Sequence, residues 1–110
     1  MRAITILCCA LLLASSVGSQ GYVPAAGFVP DAKTAVKIGE AVLEPVYGKK
    51  KVESEQPFGA ELEKGVWTVS GTLYCSDSDG KQTTKNCLGG VAVVKIAKAD
   101  GRILSMIHGK

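Results

Sequence analysis

The sequence has 110 residues, a formal net charge of +3 and 46% hydrophobic residues, enough for one small domain with one modest core and no more. Its basic residues are dispersed apart from Lys49, Lys50 and Lys51, and Glu53 and Glu55 follow these directly. A nucleic-acid partner would call for a basic stripe with stacking aromatics, so the triplet reads as a solvated turn after a helix and nucleic acid is not expected as a partner.

The first segment pairs Arg2 with an apolar run from Ile4 to Leu13, then small residues, with Val17 and Ser19 at the −3 and −1 positions of a cut after Ser19. This is the build of a secretory signal peptide (1–19), whose apolar core is too short to span a bilayer. Cys8 and Cys9 lie inside the apolar run, which argues against a lipoprotein anchor. Export is therefore expected, without stable membrane insertion once the signal is cut. Cleavage would leave Cys75 and Cys87, and an even pair in an exported chain is most simply a disulfide.

Residues 20–30 form an extended leader of Gly, Pro and Ala with isolated large apolar residues. Asp31 then offers a helix cap, and Ala35, Ile38, Val42 and Val46 recur at helical spacing. The helix is expected from Asp31 to about Tyr47, loosened or ended by Pro45, with Gly48 in the left-handed position that closes it. From Phe58 the period changes to two. Phe58, Ala60 and Leu62, a Lys64-Gly65 turn, then Trp67, Val69 and Leu73 describe a hairpin with one buried face. Gly71 interrupts that face and suggests a bend or a close approach of the helix. Ala92, Val94 and Ile96, the turn Asp100-Gly101, then Leu104 and Met106 describe a second hairpin. Val91 and Val93 on its other face suggest a central strand, covered on both sides for part of its length. The fold class expected is α+β: one N-terminal amphipathic helix packed on a curved four-stranded antiparallel sheet, with 31–110 as the domain.

Residues able to do chemistry are few. His108 is the single histidine, and a structural or surface role is expected for it. Two cysteines without a second histidine do not close a zinc site. Glu61 and Glu63 share one strand face but are expected in water, and Glu53 and Glu55 carry the same reading. Asp77 and Asp79 raise calcium; yet with Asp77 as the first ligand, glycine arrives at position 4 and Leu88 stands at position 12, so the EF-hand pattern fails. No catalytic residue, cofactor or metal is expected.

Taken together, "VPDAKTAVKIGEAVLEPVYG", Gln56-Pro57-Phe58, "GVWTVSGTL", "GGVAVVKIAKADGRIL" and the closing "HGK" resemble the NTF2-fold immunity proteins of bacteria. The shared pieces fall at Pro45, Tyr47-Gly48, Gly65 to Trp67, Gly71 to Leu73, Gly89 to Ala92 and His108 to Lys110, over about residues 29–110. The resemblance implies a cystatin-like helix cradled by a curved sheet. It also implies a binding protein, not an enzyme, that neutralises a toxin passed between neighbouring cells. With the export signal, the periplasm becomes the expected location. A ligand-binding or envelope-associated module of the same fold is the alternative, but the expected inward positions (Ile38, Val42, Trp67, Val69, Val94, Ile96, Leu104 and Met106) are nearly all apolar.

One departure from the family pattern stands out. Tyr74 to Leu88 is inserted between the two middle strands and carries both remaining cysteines. A Cys75–Cys87 bond would close a loop of about 13 residues and stabilise by roughly 3 kcal/mol in the chain-entropy model. Loop tips often hold partner specificity, which makes Ser76, Asp77, Asp79, Lys81, Gln82, Lys85 and Asn86 the candidate partner contacts.

Overall fold

A computed structural model describes residues 21–110; the expected signal segment, 1–19, and Gln20 lie outside them. Helix α1 (Ala32–Tyr47) begins where Asp31 accepts the Thr34 N–H at 2.8 Å. The hydrogen bonds from Thr34 hold the Asp31 carboxyl below its ordinary pKa, and Lys33 and Lys37 add to the effect. A depressed carboxyl stabilises the fold above its unfolded pKa, and that contribution is lost as pH falls through the folded value. Asp31→Ala should therefore lower the melting temperature at neutral pH. The gap between variant and parent should close in acid, and melting curves across a pH series read this directly.

Pro45 does not end α1. It removes one N–H only, and the Gly48 N–H closes the helix on the Glu44 carbonyl at 2.8 Å. Gly48 has the positive φ expected of it (93°), but its ψ of 149° turns the chain into a second helix, α2 (Lys49–Ser54). The lysine triplet is thus the exposed first turn of a helix and not a loop; α2 exists to bury Val52. The buried stripe of α1 is also rotated from the expected one. Ala35, Gly39 and Leu43 are buried, Ile38 and Val42 only partly, and Val46 is exposed. The cause is Gly39, where an added Cβ would stand 2.7 Å from Val69 Cγ1. The helix approaches the sheet most closely at the residue without a side chain.

The sheet has the order β1-β2-β5-β6, all antiparallel: β1 (Gly59–Glu63), β2 (Val66–Ser70), β5 (Ala92–Ala97) and β6 (Ile103–His108). A two-stranded ribbon, β3 (Cys75–Ser76) with β4 (Gln82–Thr83), stands between β2 and β5 in sequence. Lys64 and Gly65, both at positive φ (50° and 76°), make the tight turn the sequence announces. At the other hairpin Arg102 N–H reaches Asp100 Oδ1, and Gly101 takes a φ of 76°. Rows Ala60–Val69–Val94–Met106 and Trp67–Ile96 face α1. Leu43, Val69, Val94, Ile96 and Val29 are fully buried between helix and sheet.

Three expectations are corrected here. β2 ends at Ser70, so Leu73 is not a strand residue; Gly71 N–H still reaches the Ala92 carbonyl, but Thr72 N–H turns away to Glu55. Leu104 does not face the helix. The register shifts after Lys95, pairing Lys95 with Ser105 and Ile96 with Ile103, and the extra residue, Leu104, is 43% exposed. β5 is central, as Val91 and Val93 suggested, but both are only partly buried rather than covered. The leader is laid against the domain at its end. Phe28 and Val29 N–H groups bond to the Ala99 and Lys98 carbonyls, and Trp67 Nε1 donates to the Val29 carbonyl at 2.8 Å.

Candidate functional site

Glu55, just past α2, is the one charged side chain buried among the described residues (5% exposed). Its two oxygens have separate partners: Oε1 accepts the Ala92 N–H at 2.7 Å, and Oε2 lies 2.8 Å from His108 Nε2. The Lys51 ammonium stands 3.8 Å from the same Oε2. Glu55 also accepts the Thr72 N–H on its backbone carbonyl at 2.7 Å. One residue thereby ties α2 to the exit of β2, the start of β5 and the end of β6. His108 is held on both sides, because its Nδ1 lies 2.7 Å from the Gly109 carbonyl oxygen. Both ring nitrogens face acceptors, the Glu55 carboxylate and the Gly109 carbonyl. The Tyr47 ring packs at 5.4 Å, tilted, against the imidazole.

Glycines make room for this hub. An added Cβ at Gly71 would stand 2.8 Å from Glu55 Cβ and Oε1, and one at Gly90 would collide with the Gly109 backbone. The pieces that carry the family resemblance, Tyr47, Gly71, Gly90 to Ala92 and His108, are distant in sequence and converge here. His108 has the structural role expected of it. Glu55 does not lie in water beside Glu53: on a helical path residues two apart point to different sides, so Glu53 is exposed and Glu55 buried. Sequence reading missed Glu55 because it treated the pair as strand-like. The signal that could have found it is the pair Gly71 and Gly90, where an added Cβ would meet Glu55 and the Gly109 backbone. Chemically the hub holds its groups to one another; neither the carboxylate nor the imidazole is left free for a substrate.

The inserted segment leaves the sheet beside the hub. Tyr74 donates its hydroxyl to the Gln56 carbonyl at 2.7 Å, and a cleft of about 280 Å³ lies at the loop base between Lys51, Ser54, Glu55, Tyr74 and Gln82. Cys75 and Cys87 form a disulfide. Within the loop, Cys75 pairs with Thr83 and Ser76 with Gln82. At its tip Asp77 Oδ1 accepts the N–H groups of Asp79 and Lys81, each at 2.9 Å. Asp77 thus serves its own turn, and among the described residues no group of three or more His, Cys, Asp or Glu is placed to hold a metal.

The seven candidate contacts, Ser76, Asp77, Asp79, Lys81, Gln82, Lys85 and Asn86, are brought together on this one ribbon and are all exposed. The structure adds an eighth. Leu88, immediately after the bridged Cys87, is 96% exposed, the most exposed large apolar side chain among the described residues. Hydrophobicity had placed it outside the polar segment and hence outside the candidates. Glu61 and Glu63 are exposed on β1, as expected. No described helix is long and apolar enough to cross a membrane.

Known proteins place the chain. It is 29% identical over 92 residues to YhhH of Escherichia coli (strain K12), a protein printed as uncharacterized; the match covers 84% of this chain and 65% of that relative, so the chain spans about two thirds of the relative's length. No solved structure matches. Residues 34–110, which hold α1 from its third residue on, α2, all six strands and the hub, match the family described as NTF2 fold immunity protein. With the helix on a four-stranded antiparallel sheet that such a fold requires, the chain belongs to the NTF2 fold immunity protein family.

Proposed function

We propose that this protein is an exported immunity protein that neutralises a cognate toxin by protein–protein contact and performs no chemistry of its own. The observation that carries the reading is the family membership. It is supported by a hub whose acid and base groups are occupied by one another, and by a helix–sheet interface filled with Leu43, Val69, Val94 and Ile96. The filled interface also counts against the alternative of a ligand-binding module, which needs room between helix and sheet.

The contact surface proposed is the Cys75–Cys87 ribbon, with Ser76, Asp77, Asp79, Lys81, Gln82, Lys85, Asn86 and the added Leu88 presented on a covalently closed loop. Closing the loop before binding reduces the ordering cost at the interface. The signal-like residues 1–19 support the periplasm as the place of action, and a toxin met there attacks the wall or membrane. The test pairs this protein with the product of the adjacent reading frame in cells, scoring killing with and without it. Protection is expected from the intact protein. It should be lost when residues 76–86 are exchanged for a two-residue turn that leaves the melting temperature of the sheet domain in place. Unaltered killing by the intact pair would sink the immunity reading, whereas protection that survives the exchange would remove the ribbon alone.

A further inference from the structure

The inserted ribbon begins where the sheet comes apart. Gly71 donates its N–H to the Ala92 carbonyl, but the Ala92 N–H goes to Glu55 Oε1. In an unbroken antiparallel pair that N–H would return to Gly71. Leu73 and Gly90 are the next pair in this phase, and no backbone hydrogen bond joins them. The β2–β5 ladder therefore stops at the hub, and the chain leaves it as two diverging arms. Tyr74 still anchors one arm, through its hydroxyl, to the Gln56 carbonyl. Beyond it, every hydrogen bond between residues 75–88 and the described chain ends within 75–88. No residue of this segment is buried, and Leu88, its one aliphatic side chain, is 96% exposed. The ribbon has neither the sheet's ladder nor a core of its own to hold its shape. What joins its two ends covalently is the Cys75–Cys87 bond.

We propose that the Cys75–Cys87 bond is a redox gate on partner binding: the ribbon presents its contact surface while the bond is closed and loses it when the bond is reduced. The inference rests on the immunity reading and on the ribbon as its contact surface. Reduction breaks one S–S bond. A dithiol supplies two electrons and two protons, Cys75 and Cys87 become thiols, and the dithiol becomes a disulfide. The hub, the filled helix–sheet interface and the Asp31 cap include no residue of the ribbon, so the domain stays folded. The open ribbon then spreads over many conformations, and apparent affinity falls with the fraction that is still closed. Closing a chain of this length without the bond is disfavoured by about 100-fold in the chain-entropy model. The two ladder pairs and the Asp77 turn recover part of that. Affinity for the partner should therefore fall by about tenfold or more on reduction. The gate also has a direction. Thiols stay reduced in the cytosol and are oxidised in the periplasm. Under the export proposed above, the chain is a weak binder where it is made and a strong one where it acts.

The test is calorimetric binding of the purified protein to the product of the adjacent reading frame. Four forms are compared: oxidised, reduced with a dithiol, reoxidised, and Cys75→Ser with Cys87→Ser, which needs no reductant in the mixture. Amide hydrogen exchange of residues 76–86 and circular dichroism are measured on each form without the partner. Tight binding is expected from the oxidised and reoxidised forms. The reduced and doubly substituted forms should bind about tenfold or more weakly, exchange faster at 76–86, and keep the circular dichroism of the sheet. Equal affinity of the oxidised and doubly substituted forms overturns the gate and leaves the immunity reading in place. Exchange at 76–86 that is the same with and without the bond overturns the gate whatever the partner does. So does loss of the sheet signal together with binding, since the bond would then hold the whole domain. Absence of binding by the oxidised form overturns the immunity reading itself, and the gate with it.

Discussion

Replacing His108 with alanine should destabilise the domain by about 3 kcal/mol, because it strips a buried carboxylate of its nearest partner, a change that costs about 3–5 kcal/mol where burial is complete. Glu55 is buried, but His108 keeps about a fifth of its surface in water and Lys51 stands 3.8 Å from the same oxygen. Those two facts place the cost at the lower end of the range. Glu55→Ala should be as severe, since it leaves the Ala92 N–H without an acceptor and opens a void against Gly71. Glu55→Gln should be milder, below about 1.5 kcal/mol, the ordinary net value of a hydrogen bond. Its amide oxygen can accept from Ala92 while its nitrogen donates to a neutral imidazole. Denaturant unfolding of the three variants measures the order. If His108→Ala unfolds at the midpoint of the parent, the hub contributes nothing and its convergence with the family motifs has another cause.

The second large effect is expected at the disulfide, in susceptibility more than in stability. The chain-entropy figure of roughly 3 kcal/mol assumes that the closed loop is equally ordered in the folded state with and without the bond. Here it is not. Apart from the bridge, the ribbon is held by two ladder pairs, the turn around Asp77 and the Lys85 N–H to Thr83 hydroxyl contact, all local to the loop. Cutting the bond lets the folded state regain much of the entropy that the unfolded state gains, so the net loss falls to about 1 kcal/mol by the same loop-entropy reasoning. The local result is the reverse. With the bridge reduced, the ribbon opens while the sheet stays folded, and trypsin gains access to Lys81 and Lys85. A rise in cleavage of at least about tenfold is expected, corresponding to ~1.4 kcal/mol of opening free energy. Limited proteolysis before and after treatment with a dithiol, with unfolding followed in parallel, separates the two quantities. Equal loss of both would show that the ribbon and the sheet form one cooperative unit.

Local chemistry made much of the fold legible. Asp31 as a cap, Lys64-Gly65 and Asp100-Gly101 as turns, and the alternation through Trp67, Val69, Val94 and Ile96 each depend on neighbours a few residues away, and each is found where the pattern puts it. What stayed hidden depends on distant partners. The rotation of α1 follows from Gly39 meeting Val69, thirty residues on. The bulge that turns Leu104 outward is a matter of register with β5 and leaves no mark in the β6 sequence. Glu55 reads as a surface residue until Ala92 and His108 are brought to it. The ribbon was legible as a polar, bridged insertion, while Leu88 was not, because apolar character alone suggests burial and only the three-dimensional path shows that nothing covers it.

The Glu55–His108 contact joins residues 53 positions apart and has a bearing on the order of events during synthesis. A nascent chain that has emerged only as far as β5 already contains α1, α2 and three of the four main strands, yet its Glu55 carboxylate has Ala92 and Lys51 but lacks its nearest side-chain partner. Until residue 108 arrives, setting α2 in its final position would cost several kcal/mol, and the Gly71 side of the sheet cannot close over it. Completion is thus postponed to the moment when the closing strand is available. Under the export proposed above, that delay would keep the early segments loose while the chain is threaded across the membrane.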